Sequence, residues 1–173
     1  MGGLKLGIMK KLILVVHNVR SALNVGALLR TADAVAVDMV YLAGYTPFPK
    51  MAGDSRLPHQ QDKIDREIHK TALGAEKSVS WEYSLDIAGL IGSLQQAGVR
   101  VAALEQTPAA VPLRELSQVG DMALIVGNEV DGLDDAVLAL ADQHLMIPML
   151  GAKESHNVAS AAAIALYHLR FIA

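Results

Sequence analysis

Short apolar runs alternate with longer amphipathic stretches along most of this chain. The runs predict buried β-strands at Lys11–Val16, Asp38–Ala43, Val99–Leu104, Asp121–Val126 and His144–Ile147. The stretches between them predict helices at about Asn24–Val37, Ser84–Ala97, Asp134–Ala141 and Ser155–Ile172. Gly98 is placed to end the second helix and Ser155 to cap the last. Alternating strands and helices indicate an α/β fold with a mostly parallel sheet flanked by helices.

The alternation stops between Gly44 and about Lys70. Pro47, Pro49, Gly53 and Pro58 interrupt this segment, and charged residues are spread through it. The pattern predicts a long loop, and loops of that length in compact domains are usually functional or disordered. A short turn or helix end is predicted directly after it, at Thr71–Glu76.

The last predicted helix has almost no polar face. A helix that is apolar all round is buried on both sides, here between the sheet and a partner chain. The composition also favours an apolar contact with a partner chain, because 52% of the residues are apolar and only 19% are charged. No run approaches the roughly 20 apolar residues that span a bilayer. We therefore expect a homodimer and no membrane segment.

Length and residue usage narrow the class of protein. A chain of 173 residues fits one domain, with no room for a separate recognition domain. The absence of cysteine excludes disulfides, thiolate metal sites and a cysteine nucleophile, which suits the cytoplasm. The first residues lack a signal-peptide pattern, and Met9 is an alternative start.

The net charge of −3 is unevenly distributed. Residues 1–77 contain 11 Lys and Arg against 7 Asp and Glu, whereas residues 78–173 contain 4 against 11. A polyanionic partner would therefore favour the N-terminal part.

Gly127–Gly132 directly follows a predicted strand, where parallel sheets commonly bind ligands. The alternative is a plain acidic turn from strand to helix. The spacing of its two glycines matches neither a dinucleotide-binding nor a phosphate-binding loop, and its acidic residues do not match a calcium loop.

Arg30 stands in the middle of a helix rich in alanine and leucine. A guanidinium close to such packing needs an anionic or polar partner. The alternative is a surface arginine that pairs with Asp33.

Ser155, His156 and Asn157 lie at a predicted helix start, where free backbone N–H groups can hold a ligand oxygen. Helix capping alone accounts for Ser155 but not for Asn157. A hydrolase pair of Ser155 and His156 is disfavoured because neighbours on a helix do not face each other. We expect His59 and His69 to be solvated rather than metal ligands.

Three segments together closely resemble the three motifs of the SpoU-type RNA methyltransferases of the SPOUT superfamily. They are Asn24–Asp33, Leu124–Leu133 and the segment from Ile147 to Val158. The resemblance runs from about Lys11 to Leu169 and implies an α/β fold with a deep C-terminal trefoil knot. It further implies one domain over residues 1–173, with the knot and cofactor site in about 100–173 and no separate RNA-binding domain.

The resemblance also implies a reaction, in which the methyl group of S-adenosylmethionine passes to a ribose 2′-hydroxyl without a metal. The matching catalytic residues are Arg30, Glu129, Ser155 and Asn157. The matching cofactor-binding residues are Leu104, Glu105, Gly127, Asn128, Ile147, Met149, Asn157 and Val158. Arg30 would activate the hydroxyl or clamp a phosphate, and the clamp is favoured because a guanidinium does not readily give up its proton. His156 departs from the family, which more often has an apolar residue there.

The RNA itself would be held by basic residues of the N-terminal part. Candidates for phosphate contact are Arg20, Arg56, Lys63, Arg66 and Lys70, with a solvated loop as the alternative. One Trp, two Phe and four Tyr offer few stacking surfaces, which favours a folded RNA, transfer RNA first and ribosomal RNA next.

Two other functions stay open at this point. One is a knotted RNA-binding protein without turnover, although the presence of Arg30, Glu129 and Asn157 disfavours it. The other is a small-molecule methyltransferase or nucleotide-binding α/β enzyme, which only the overall acidity favours and which would bind the cofactor but show no salt-dependent affinity for RNA.

Overall fold

The computed structural model describes residues 10–116, 120–153 and 155–173. Met1–Met9, with the alternative start, lie outside the described residues. The strands are β1 Leu12–His17, β2 Met39–Ala43, β3 Trp81–Ser84, β4 Arg100–Leu104, β5 Val111–Pro112, β6 Met122–Val126 and β7 Gln143–Met146. The α-helices are α1 Ala22–Ala34, α2 Pro58–Ala72, α3 Ala75–Ser78, α4 Ile87–Gln96, α5 Asp135–Leu140 and α6 Val158–Phe171, with a 3₁₀ turn at Leu113–Glu115.

The strands form one parallel sheet in the order β3-β2-β1-β6-β4-β7-β5. Its centre is β6, which pairs with β1 on one side and β4 on the other. Every residue of β1 and β6 is buried, as expected for strands covered on both faces. The predicted α/β class and parallel sheet are therefore confirmed.

Alternate residues of each strand face different cores. Leu14 and Val16 of β1 pack in the core beneath α1 and α6, whereas Ile13 and Val15 pack in the core beneath α4 and α5. The larger core also holds Ile68 of α2. The helices thus cover both faces, and the carboxyl ends of the parallel strands share one edge.

The prediction of a loop from Gly44 to about Lys70 is wrong for its second half, where α2 forms. Pro58 starts this helix at its first turn, where a missing N–H costs nothing. Its apolar pattern is sparse because the helix packs mainly against α1 and buries only Gln61, Ile68 and Ala72. The close approach needs Gly26 of α1, because any Cβ there would strike the carbonyl of Ile68.

Two short edge strands were not predicted. β3 extends the sheet beyond β2, and the helix predicted from Ser84 begins only at Ile87, with Asp86 as its cap. β5 is a two-residue strand on the opposite edge, beside β7. Gly98 follows the end of α4 with a φ of 80°, as predicted for a residue that stops a helix.

The last helix differs from its prediction at its start. Asn157, not Ser155, is the cap of α6: its side chain accepts hydrogen bonds from Ala159 N–H and Ser160 N–H. Ser155 lies too far upstream of the first helical residue, Val158, to do so. One face of α6 is buried, and the other leaves three apolar residues exposed, Ile164, Tyr167 and Phe171; Ile172, directly after the helix, is exposed as well. None of the helices in the described part of the chain is long and apolar enough to cross a bilayer.

Candidate active site

A pocket of about 210 Å³ lies at the carboxyl ends of β4, β6 and β7. Loops that are far apart in the sequence surround it, including the segment that precedes α6. The lining residues are Leu104, Glu105, Gln106, Val126, Gly127, Asn128, Glu129, Val130, Asp131, Gly132, Met146, Ile147, Ser155, His156, Val158 and Ala161. This is the edge at which parallel sheets bind ligands.

The loop after β6 is closed on itself by hydrogen bonds. Asn128 N–H donates to the carbonyl of Gly132 at 3.0 Å, and Gly132 N–H donates back to the carbonyl of Asn128 at 3.1 Å. The side chain of Asn128 is buried, and its Oδ1 accepts a hydrogen bond from Val130 N–H at 2.8 Å. The turn requires Gly132, whose φ is 69°. The backbone groups that face the pocket are therefore held in fixed positions.

Glu105 joins the loop after β4 to the loop after β6. Its carboxylate accepts hydrogen bonds from Leu133 N–H at 3.0 Å and from Gln106 N–H at 2.9 Å. Both loops line the pocket, so this carboxylate links its two sides and places a negative charge on its wall.

Glu129 anchors the start of α1. Its Oε2 accepts a hydrogen bond from Arg20 N–H at 3.0 Å, and its Oε1 accepts from Ser21 N–H at 3.1 Å and Asn24 Nδ2 at 2.8 Å. Partial burial works to raise the pKa of Glu129, but these hydrogen bonds favour the charged form more and leave the pKa below its ordinary value. Glu129 is therefore an ionised carboxylate at neutral pH.

Asn24 connects the first motif to the third. It donates to Glu129 through Nδ2 and accepts through Oδ1 from Asn157 Nδ2 at 3.2 Å. Glu129, Asn24 and Asn157 thus form a continuous chain of side chains, the 129–24–157 relay. Asn24 was not among the site residues predicted from the sequence. The sequence feature that could have identified it is its position as a polar residue in the first turn of an otherwise apolar helix.

The pocket gathers most, but not all, of the predicted cofactor-binding residues. Leu104, Glu105, Gly127, Asn128, Ile147 and Val158 line it, whereas Met149 and Asn157 lie outside the lining. Of the predicted catalytic residues, Glu129 and Ser155 line it, and Asn157 reaches it only through the relay. Ser155 and His156 are both exposed.

Arg30 is not in this pocket. It lies on the exposed side of α1, in a shallow depression of about 440 Å³ that is lined by Lys70 and Thr71 of α2. Within the described part of the chain it makes no hydrogen bond or ion pair. The alternative that Arg30 pairs with Asp33 is not realised, because Asp33 accepts a hydrogen bond from Ser78 Oγ at 2.7 Å.

The five candidate RNA contacts occupy different settings. Arg20 stands beside the loop after β6, Gly127–Gly132, which we call the pocket loop; its Nη2 lies 3.5 Å from Asp131, and both side chains are mostly exposed. Arg56 is paired with Asp54 and lies 3.6 Å above the ring of Phe48, so its charge is already balanced. The other three are exposed on α2: Lys63, Arg66 and Lys70.

The chemistry of the pocket suits a small molecule with an apolar part and a positive charge. Leu104, Ile147 and Val158 provide apolar walls, and the carboxylates of Glu105 and Glu129 provide negative charge. No group of three or more His, Asp or Glu side chains that could hold a metal ion occurs among the residues described.

Comparison with known proteins gives one consistent family. Residues 11–167 match the SpoU rRNA methylase family. The chain is 33% identical over 158 residues to the 23S rRNA (guanosine(2553)-2′-O)-methyltransferase of Bacillus subtilis, which covers 91% of this chain and 57% of that protein. It is 31% identical over 144 residues to the tRNA (guanosine(18)-2′-O)-methyltransferase of Escherichia coli, covering 83% of this chain and 56% of that protein. The chain thus spans a little over half the length of these relatives.

Solved structures give the same picture. The TrmH/SpoU tRNA modifying enzyme of A. aeolicus superposes with a TM-score of 0.76 at 26% identity, over 93% of this chain and 74% of that one. A structure described as giving insights into 2-OH methylation of C/U34 on tRNA superposes with a TM-score of 0.74 at 25% identity, over 92% of this chain and 94% of that one.

Proposed function

The chain belongs to the SpoU rRNA methylase family, and we propose that it is an S-adenosylmethionine-dependent RNA methyltransferase that acts on a ribose 2′-hydroxyl. One observation carries the proposal. Residues of the three motifs, which are about 100 and 130 positions apart along the chain, meet at one pocket through the 129–24–157 relay. The relatives named above are 2′-O-methyltransferases of ribosomal and transfer RNA.

The cofactor occupies the pocket in this proposal. S-adenosylmethionine, when bound, supplies an activated methyl group on a positively charged sulfur. Leu104, Ile147 and Val158 surround its apolar parts, and the closed loop at Gly127 and Asn128 presents fixed backbone groups to its polar parts. The carboxylate of Glu105 carries the negative charge that a sulfonium ligand favours. Met149 and Asn157 belong to the same proposed site through the sequence motif.

The protein residues position the RNA hydroxyl. Glu129 and Asn24 hold the amide of Asn157 beside the pocket, and Ser155 offers a hydroxyl on its rim. Arg30 clamps a phosphate of the RNA, because a guanidinium stays charged at neutral pH and binds phosphate through paired hydrogen bonds. Alignment of the ribose oxygen with the methyl group then supplies much of the rate, since orientation alone contributes several kcal/mol.

A homodimer completes the site. Arg30 lies outside the pocket of its own chain, so its catalytic role requires the pocket of a second copy. The exposed apolar face of α6, with Ile164, Tyr167 and Phe171, offers a surface for that copy. Each active site would then combine a pocket from one protomer with Arg30 from its partner.

We also propose that the C-terminal part, within about residues 100–173, is tied in a trefoil knot. The strand order supports this, because β7 lies between β4 and β5, which are consecutive in the chain. The 105–110 connection from β4 to β5 therefore passes β7, a strand that comes later in the chain, as expected if the C-terminal segment is threaded through the preceding loop, an arrangement that is rare in proteins.

The proposed substrate is transfer RNA, with ribosomal RNA next, in the cytoplasm. Lys63, Arg66 and Lys70 form an exposed row on α2, and Lys70 shares the depression of Arg30. The catalytic unit over residues 1–173 would bind RNA through this surface, and its affinity would fall as salt rises.

The test is methyl transfer from tritiated S-adenosylmethionine to unmodified transfer RNA or ribosomal RNA, followed by digestion to nucleosides. Label on a 2′-O-methylated nucleoside is the expected result. Calorimetric titration with the cofactor serves as the control for a folded pocket. Cofactor binding without label on either RNA would instead favour the knotted RNA-binding protein without turnover.

A further inference from the structure

Tyr45 is an exposed aromatic side chain beside the pocket loop. Three aromatic side chains of this chain are exposed: Tyr45 at 57%, Tyr167 at 55% and Phe171 at 48%. Tyr167 and Phe171 contact each other on α6, with ring centroids 4.9 Å apart. Tyr45 is thus the exposed ring that neither packs on α6 nor contacts another aromatic ring.

The position of Tyr45 is fixed at both ends. Its hydroxyl accepts a hydrogen bond from Nδ2 of the buried Asn128 at 2.7 Å, and its N–H donates to Asn18 Oδ1 at 3.1 Å. The next residue, Thr46, is buried, and its hydroxyl donates to the carbonyl of Val16 at 3.0 Å. The ring is therefore presented to solvent in a defined position, with little side-chain entropy left to lose on binding.

The surroundings of the ring suit a nucleic acid. Asn128 lines the pocket and bonds both the Tyr45 hydroxyl and the carbonyl of Asn18. Two residues beyond Asn18, Arg20 exposes a guanidinium on the same turn, next to the pocket loop. An aromatic face and a cation on one rim are the two elements that single-stranded nucleic acids require, for bases and for phosphates respectively.

We propose that Tyr45 is a stacking platform for a base that flanks the nucleotide whose ribose enters the pocket. This inference rests on the proposed function. The bond to Asn128 ties the platform to the loop that holds the pocket, so a base stacked on Tyr45 sets the register of the RNA relative to the reacting ribose. Tyr45 is accordingly a residue that determines specificity, and it takes no part in the methyl transfer itself.

The experiment measures steady-state methylation of a substrate RNA by four variants alongside the unmodified protein. Tyr45→Ala removes the ring, Tyr45→Leu keeps apolar bulk without aromaticity, and Tyr45→Phe keeps the ring without the bond to Asn128. Leu85→Ala, at a side chain that is 77% exposed, is the control for truncating a surface apolar residue. Cofactor affinity, thermal unfolding and light scattering are recorded for each variant.

We expect Tyr45→Ala and Tyr45→Leu to raise the KM for RNA at least about fivefold, the low end of the loss from one base–aromatic stack. Tyr45→Phe should give a smaller rise, and Leu85→Ala none. Cofactor affinity and the dimer should be unchanged throughout. An unchanged KM in Tyr45→Ala, an equal rise in Leu85→Ala, or a dimer that dissociates in Tyr45→Ala would each overturn the inference alone. Failure of the unmodified protein to methylate any RNA would instead overturn the proposed function and this inference with it.

Discussion

Two positions of α1, Asn24 near its start and Arg30 farther along, are less than two turns apart but have different surroundings. Asn24, near the start, is held between Glu129 and Asn157 at the pocket. Arg30 is exposed and without a polar partner in the described residues, although it lies only about 9 Å farther along the helix. Six residues also rotate the side chain by about 240°, so the two cannot face the same pocket.

The side chains of the relay are fully hydrogen-bonded within the described part of one chain, whereas the guanidinium of Arg30 is not. The relay is a finished structure, in which each polar group has its partner and the carboxylate stays ionised. Arg30 has no polar partner among the described residues, so its charge is available to bind RNA or a second protomer. Substitutions at the two places should therefore damage different properties.

Removing the exposed cation should have the largest effect. Arg30→Ala is expected to lower the rate of methyl transfer by about 100-fold or more, because misplacing the reacting ribose forfeits the advantage of orientation. Its free energy of unfolding should change by less than about 0.5 kcal/mol, as for other surface substitutions. Arg66→Ala, another exposed arginine, is the matched control and should lose far less activity. Near-normal turnover by Arg30→Ala would remove Arg30 from the catalytic residues.

Mixing two inactive variants tests whether Arg30 acts at the pocket of a partner protomer. Arg30→Ala and Glu129→Gln, combined under conditions that exchange subunits, should regain up to about a quarter of the normal activity, since half the dimers are mixed and each has one intact site. Either variant mixed with itself should stay inactive. The absence of recovery in dimers shown to have exchanged would mean that Arg30 acts within its own chain.

A substitution in the relay should mainly lower the stability of the protein. Glu129→Gln places an amide donor against the donors Arg20 N–H, Ser21 N–H and Asn24 Nδ2. We expect the free energy of unfolding to fall by about 1–3 kcal/mol, as for the loss of hydrogen bonds to a charged group. Urea unfolding measures this. Asp131→Asn, in the same loop but exposed, should change stability by less than about 0.5 kcal/mol.

The smallest predicted effect is on the pH dependence of stability. The folded-state pKa of Glu129 lies below its ordinary value of 4.5, because hydrogen bonds to the carboxylate outweigh the effect of partial burial. Its contribution is therefore complete above pH 4.5 and is lost as pH falls through the lower, folded-state value. The stability difference between the unmodified protein and Glu129→Gln should shrink on acidification. A difference that is constant down to pH 3 would contradict the assignment.

The regular parts of the fold could be predicted from the sequence. The five long strand runs and the helices α1, α4, α5 and α6 follow from buried apolar patterns, and the structure confirms them within a few residues. α2 could not be predicted in this way, because it is mostly polar and its burial depends on contact with α1 at Gly26. A proline that reads as a breaker, Pro58, is in fact its first residue.

The site was predictable in its motifs but not in its geometry. Glu129 and Ser155 were found at the pocket because they follow a strand or precede a helix. The relay was missed because hydrogen bonds between side chains 105 and 133 residues apart leave no local pattern. Helix periodicity places Asn24 and Arg30 on different sides of α1, but which of the two faces the pocket depends on the rotation of α1 relative to the sheet, which only the three-dimensional structure gives.

The central place of β6 constrains how this chain can fold as it is synthesised. β1 emerges first, yet its partner on one side is β6, with Leu12 opposite Met122. β4 also pairs with β6, with Arg100 opposite Met122, and β6 is synthesised after it. Until more than 120 residues have left the ribosome, both strands keep an open edge, and such edges invite pairing with other chains. Because these contacts span long stretches of sequence, folding should be slow and largely post-translational, which makes the nascent chain a natural client for chaperones.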